Sequence, residues 1–290
     1  MRTAVVTDSN SGIFKEEAEQ LGIYVIPMPV IVEGRTCFEN EDITSTEFFS
    51  AMAQNKEVSS SQPSPGILIK KWKALLEEWD EVIYIPMSSG LSGSTQAAQV
   101  LALDFEGKVA VADNHRISVT MRQSVEMARI LAQKGLDAAQ IKAKLEAEGP
   151  LSSVYLTVEK LDYLKHTGRV TPTTAAIADI LNIKPVLMTK GEKFETCAKV
   201  HGLVKAKHTM INAVEEDRRN LFRDYADDDI YVGVATSCVD PEDAEKWMNM
   251  MKEAMPNYHV FYNPLSLSIA CHTGPNAYGV GISLKPKSRD

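Results

Sequence analysis

The stretch EVIYIPMSSGLSGSTQAAQV, residues 81–100, runs from a strand through a loop into a helix. EVIYIP is rich in the β-branched and aromatic side chains that fit a pleated surface. It empties into serines and glycines, which lead directly into the helix-forming STQAAQV. Similar strands recur around it: TAVVT (3–7), IYVIPMPVIV (23–32) and KVAVAD (108–113). Helical patterns separate them, in KEEAEQL (15–21), KKWKALLEEW (70–79) and SVTMRQSVEMARILAQ (118–133). Strands spaced by helices predict an α/β fold with a mainly parallel sheet.

DAAQIKAKLEAEGP ends in Gly149-Pro150, a strong stop signal, and a domain boundary is placed there. The expected division is residues 1–150 and 151–290. A second α/β pattern follows, with SVYLTVE (153–159), a helical run around TTAAIADIL (173–181) and a hairpin, KPVLMT-KGEK-FETCAKV (184–200). Next come a long polar helix over 203–223, the strand DIYVGVATS (229–237), the helix PEDAEKWMNMMKEAM (241–255) and a last strand, YGVGISL (278–284). Asp240-Pro241 supplies that helix with a side-chain cap and a first-turn proline.

The bulk numbers exclude several classes. The chain has 290 residues, 44% of them apolar and 24% charged, as in ordinary globular domains. No apolar stretch approaches the roughly 20 residues that cross a bilayer. MRTAVVTDSNSG has no apolar signal region, so a cytoplasmic location is expected. Cys37, Cys197, Cys238 and Cys271 lie far apart and read as reduced thiols. A net charge of −8 argues against nucleic acid as a partner.

Three polar loops stand out. TDSNSG (7–12) holds Asp8 and Ser9, and SSSQPSPG (59–66) holds Ser60 and Ser61. PMSSGLSG (86–93) holds Ser88, Ser89, Gly90, Ser92 and Gly93. Loops after parallel strands gather at the carboxyl edge of the sheet, where ligands bind. Two of the three also feed helix N-termini, whose free N–H groups attract anions. The plainer reading, that serines and glycines only cap helices and make turns, applies to any one such loop. Three of one chemistry favour a site.

SSGLSGST lacks the lysine of a P-loop, and GVGISL supplies only two glycines of a dinucleotide fingerprint. GLSGS (90–94) nearly forms a nucleophile elbow, but Ser94 stands where the second glycine belongs. A serine hydrolase using Ser92 and His272 is the alternative enzyme reading; Ser92 serves equally as a cap or hydrogen-bond donor. His272 lies in HTGPNAYG (272–279), which reads as a turn-rich loop, and its imidazole can donate to a carboxylate. His115, His166, His201, His208 and His259 have no metal-ligand spacing, so no metal is expected. Arg169, in LDYLKHTGRV (161–170), either pairs with an anion or complements a helix C-terminus.

Together these loops resemble the DegV family of bacterial fatty-acid-binding proteins (EDD fold). The matching stretches are TDS (7–9), SSQPSPG (60–66), IPMSSGLSGSTQAA (85–98), VADN (111–114), LDYLKHTGRV (161–170), KPVL (184–187) and HTGPNAYG (272–279). They follow the family's order across nearly the whole chain. The resemblance implies two α/β domains with a long-chain fatty acid in an apolar tunnel between them. Ser60, where the family usually has threonine, and Ser92 would hold the carboxylate, with His272 beside it. Turnover and cofactors are not expected. The implied partner is a separate fatty-acid kinase that makes an acyl phosphate for phospholipid synthesis. His201 stands where kinase-linked members often have arginine, Thr167 replaces a second glycine, and Asn10 and Asn114 replace frequent serines.

Overall fold

The computed structural model describes residues 2–177 and 183–286. The first strand, β1 (Thr3–Asp8), is buried at all six positions, the pattern of a parallel strand covered on both faces. A 3-10 turn, Ser9–Ser11, and α1 (Lys15–Leu21) lead to β2 (Tyr24–Ile26), parallel to β1. The segment IYVIPMPVIV, expected as one strand, is two. Pro27 and Pro29 lack the N–H that a continuing ladder needs, so the chain leaves the first sheet after Ile26. It forms β3 (Pro29–Val32) in a small antiparallel sheet with β4 (Arg35–Phe38) and β5 (Val58–Ser60).

Between β4 and β5 runs α2 (Ser45–Ala53), opened by a capping box of Thr44 and Glu47 that the sequence reading passed over. Next, α3 (Pro65–Leu76) starts with a Ser64 cap and leads to β6 (Glu81–Ile85), α4 (Ser94–Ala102) and β7 (Val109–Val111). The parallel sheet has the order β2-β1-β6-β7. It is followed by α5 (Ser118–Gln133) and α6 (Ala138–Glu148).

The second sheet starts with β8 (Ser152–Thr157), followed by α7 (Asp162–His166) and α8 (Pro172–Ala175). The rest of the helical run expected over 173–181 reaches beyond the described residues. The hairpin is present as β9 (Ile183–Thr189) and β10 (Glu195–His201). Then come α9 (Leu203–Asn220), β11 (Ile230–Thr236), α10 (Pro241–Ala254), β12 (His259–Pro264), α11 (Leu267–Thr273) and β13 (Tyr278–Leu284). The order is β10-β9-β8-β13-β11-β12, antiparallel except for β11 with β12.

One face of this sheet carries a core of α9 and α10 residues around Met210, Phe222 and Trp247. The other face receives α5, which also packs on β1 and β6 and so joins the two sheets. Its close approach needs glycine. Gly233 and Gly281 are cross-strand partners, and a Cβ on either would stand 2.4 Å or 2.7 Å from the Val119 side chain.

The small sheet is closed by α11. Leu267, Ala270 and Cys271 share a cluster with Val30, Cys37, Phe48 and Met52. The Ser266 side chain caps the helix, and Gly274, at φ +73°, ends it. His272, expected in a turn-rich loop, therefore lies in the last helical turn. The Leu267 N–H donates to Glu39 at 2.8 Å. Burial lifts the Glu39 carboxyl to about 7 despite that bond. A raised carboxyl binds its proton more tightly folded than unfolded, so the protein gains stability as pH falls from 7 towards 4.5. Glu39→Gln, which retains an acceptor for Leu267, is expected to be about 2 kcal/mol more stable than wild type at pH 8. The gap should narrow steadily between pH 7 and pH 4.5 in urea titrations. A gap independent of pH would show that Glu39 does not titrate there.

Candidate ligand-binding site

A cavity of about 200 Å³ lies where the two large sheets and the small sheet meet. Part of its wall is one cross-strand row. Leu156, Gly279 and Ala235 sit side by side on β8, β13 and β11, and all three face the cavity. Ile117 and Val119, from the start of α5, also line it, and Met87, Leu91, Leu164, Phe194, Leu265 and Ile269 add to its apolar lining. The same residues, glycine aside, belong to one apolar cluster drawn from both halves of the chain.

The polar end has three sources. Strand alternation in β5 turns Ser59 out and Ser60 in. The β6–α4 loop brings Ser92 and Gly93, and the last turn of α11 brings His272. Ser60 Oγ lies 2.9 Å from His272 Nε2. Ser92 Oγ accepts from the Ser94 N–H at 3.2 Å and donates to Ser94 Oγ at 3.0 Å, fixing it two residues ahead of the helix. Arg169 joins this end, and its guanidinium donates to the Thr167 carbonyl. No carboxylate among the described residues pairs with it. Burial, reinforced by that guanidinium, pushes His272 down to about 4, so the imidazole is neutral at ordinary pH. Its Nδ1 is buried and has no partner among the described residues.

The remaining loop residues brace the wall. Asp8 accepts from the N–H groups of Met87 (3.0 Å) and Asn10 (2.8 Å), tying the β1 and β6 loops together. Ser9 Oγ accepts from the Met28 N–H at 3.0 Å. Ser88 Oγ donates to the Gly191 carbonyl and accepts from the Gly90 N–H, while the Ser89 N–H donates to Asp113. A Cβ at Gly90 would stand 2.5 Å from the Gly191 carbonyl oxygen, because the β9–β10 turn lies directly on this loop. Ser61 and Gln62 stand exposed at the mouth. His201 is exposed on β10 and is not among the lining residues.

Asn10, Ser118, Ser268 and Thr273 also line the cavity and were missed as site residues. Ser268 and His272 are four apart on α11, and the cap–stop pair Ser266 and Gly274 was the signal for that helix.

The geometry does not assemble a hydrolytic relay. His272 meets Ser60 and not Ser92, and among the described residues no acid holds its Nδ1. Among the described residues no group of three or more His, Cys, Asp or Glu could hold a metal ion, and no helix is long and apolar enough to cross a membrane.

The family model described as uncharacterised protein, DegV family, matches residues 2–285. The chain belongs to the DegV family. A DegV domain-containing protein of Deinococcus radiodurans is 28% identical over 292 residues, covering 99% of this chain and all of the relative. Among solved structures, a fatty-acid-binding DegV family protein from Thermus thermophilus superposes with a TM-score of 0.86 at 30% identity. It matches over 98% of this chain and 100% of its own. DegV, a fatty acid binding protein from Bacillus subtilis, gives 0.85 at 25% identity, with 98% and 100% coverage. DegV membership thus agrees with the resemblance carried by the loops, and the α/β architecture is that of these structures.

Proposed function

We propose that this protein binds a long-chain fatty acid without turning it over, with the carboxylate at the Ser60, Ser92, His272 and Arg169 end and the acyl chain in the apolar part. The observation that carries this reading is an apolar cavity ended by two hydroxyls and a cation that no carboxylate among the described residues pairs with. A neutral imidazole protonated at Nε2 donates to Ser60 Oγ and leaves the Ser60 proton for the ligand. Arg169 then meets the carboxylate charge, and charge-assisted bonds of this kind are the stronger ones. The chain contributes on the order of 0.8 kcal/mol per buried CH₂, so the tail supplies most of the affinity and the polar end sets orientation. The fatty-acid-binding DegV structures support the same reading. Under it, residues 1–150 and 151–290 act as two domains closing on the acyl chain. Presentation of the acid to a separate kinase belongs to the same proposal.

Organic extraction of natively purified protein should yield about one fatty acid per chain. Ser92→Ala should weaken fatty-acid binding about tenfold, the loss of one hydrogen bond to a charged group once the Ser92 proton turns from Ser94 to the carboxylate, while the exposed Ser50→Ala leaves it unchanged. Protein that carries no lipid and takes up none when offered would overturn the reading. Equal affinities for the two variants would show that the carboxylate lies elsewhere.

A further inference from the structure

Besides His272 Nδ1, two buried polar groups on the cavity wall have no hydrogen-bond partner among the described residues and lie inward of the exposed mouth. Asn10 is 1% exposed; its Oδ1 accepts from the hydroxyls of Ser266, at 3.0 Å, and Ser268, while its Nδ2 is unpaired. Ser118 is 5% exposed, and its Oγ is unpaired as well. Ser118 also has a φ of +53°, left-handed backbone in a residue that is not glycine. That conformation costs about 1–2 kcal/mol, and each hydrogen bond left unmade in the interior costs about 1–3 kcal/mol. A glycine at 118 would avoid both costs.

The positions of the two groups are related. The 3-10 turn bearing Asn10 packs against α5, the helix that Ser118 begins. Asn10 is held by Ser268, one turn before His272 on α11, which sets its amide about 6 Å along the helix axis from the headgroup end. Of the other orphaned polar atoms among the described residues, only His272 Nδ1, at the headgroup end, belongs to a cavity-lining residue; Ser153 Oγ, for one, does not.

We propose that Asn10 and Ser118 form a second polar subsite that selects acyl chains carrying a hydroxyl in the part nearest the carboxyl group. This rests on the fatty-acid reading and goes beyond it. A hydroxyl both accepts and donates, so it can take the Asn10 amide proton and meet the Ser118 oxygen. An unsubstituted chain pushes methylenes against both groups and leaves them unpaired.

Competition binding at one chain length tests this, comparing a plain acid with acids hydroxylated in the proximal, middle or distal third. The proteins are wild type, Ser118→Gly and the exposed control Ser50→Ala. Ser118→Gly removes the hydroxyl and suits the left-handed backbone, and its melting temperature confirms folding. Wild type and Ser50→Ala should prefer the proximally hydroxylated acid over the plain one by about fivefold, the worth of one net hydrogen bond. Ser118→Gly should lose most of that preference. If wild type binds the plain acid as tightly as every hydroxy acid, or if Ser118→Gly keeps the full preference, the subsite is overturned and fatty-acid binding stands. If no acid binds at all, the fatty-acid reading falls with it.

Discussion

Gly281→Val is expected to lower stability by about 3 kcal/mol, at the upper end of what overpacking costs. A Cβ at this position would stand 2.7 Å from Val119 Cγ2 and 2.9 Å from Thr120 Cγ2. Valine adds two methyls beyond that point, so either α5 lifts or β13 bows. The adjacent strand offers no slack, because a Cβ on its cross-strand partner Gly233 would stand 2.4 Å from Val119 Cβ. Urea unfolding reads the loss directly. Adding Val119→Ala should restore part of it, since the two residues share one contact and their effects are not additive. A single variant costing under about 1 kcal/mol, or a double variant with no recovery, would mean that the helix seat is looser than these distances state.

Two residues earlier in the same strand, the opposite outcome is expected. Gly279 lines the cavity, and a Cβ there meets nothing nearer than 3.6 Å, ordinary van der Waals contact. Gly279→Leu should therefore fold as wild type does and place its side chain where the acyl chain would run. Fatty-acid affinity should fall about a hundredfold or more, equivalent to about 2.7 kcal/mol, while the lipid-free melting temperature holds. If Gly279→Leu still purifies with one fatty acid per chain, the row of Leu156, Gly279 and Ala235 is not the tunnel wall.

The parallel strands were legible in the sequence because burial on both faces leaves unbroken apolar runs, as in TAVVT and EVIYI. The long helices were legible through their apolar spacing, and SVTMRQSVEMARILAQ coincides with α5. The small sheet was not. RTCF and VSS are too short to show a period, and the prolines that split IYVIPMPVIV sat inside an otherwise continuous strand pattern. For α11, LSIACHT has mostly small side chains and little periodicity, so only its cap and stop marked it.

The site divides in the same way. Its hydroxyl-rich loops showed as composition, but which serine of SSSQ turns inward depends on the pairing of β5, and only the family resemblance singles out Ser60 within that loop. The unpaired state of Asn10 and Ser118 is a property of their surroundings in space, which spacing along the chain does not encode. The glycines of YGVGISL were visible as a failed dinucleotide motif. Their work, seating α5 at 281 and leaving room at 279, follows from strand register alone.

The position of β13 bears on how this molecule is made. It comes late in the chain, yet it sits between β8 and β11 near the middle of the second sheet. During synthesis from the amino end, β8 and β11 must wait with unpaired edges until residues 278–284 emerge. Until then the nascent chain presents two open strand edges to its neighbours, a stage at which chaperones protect and aggregation competes.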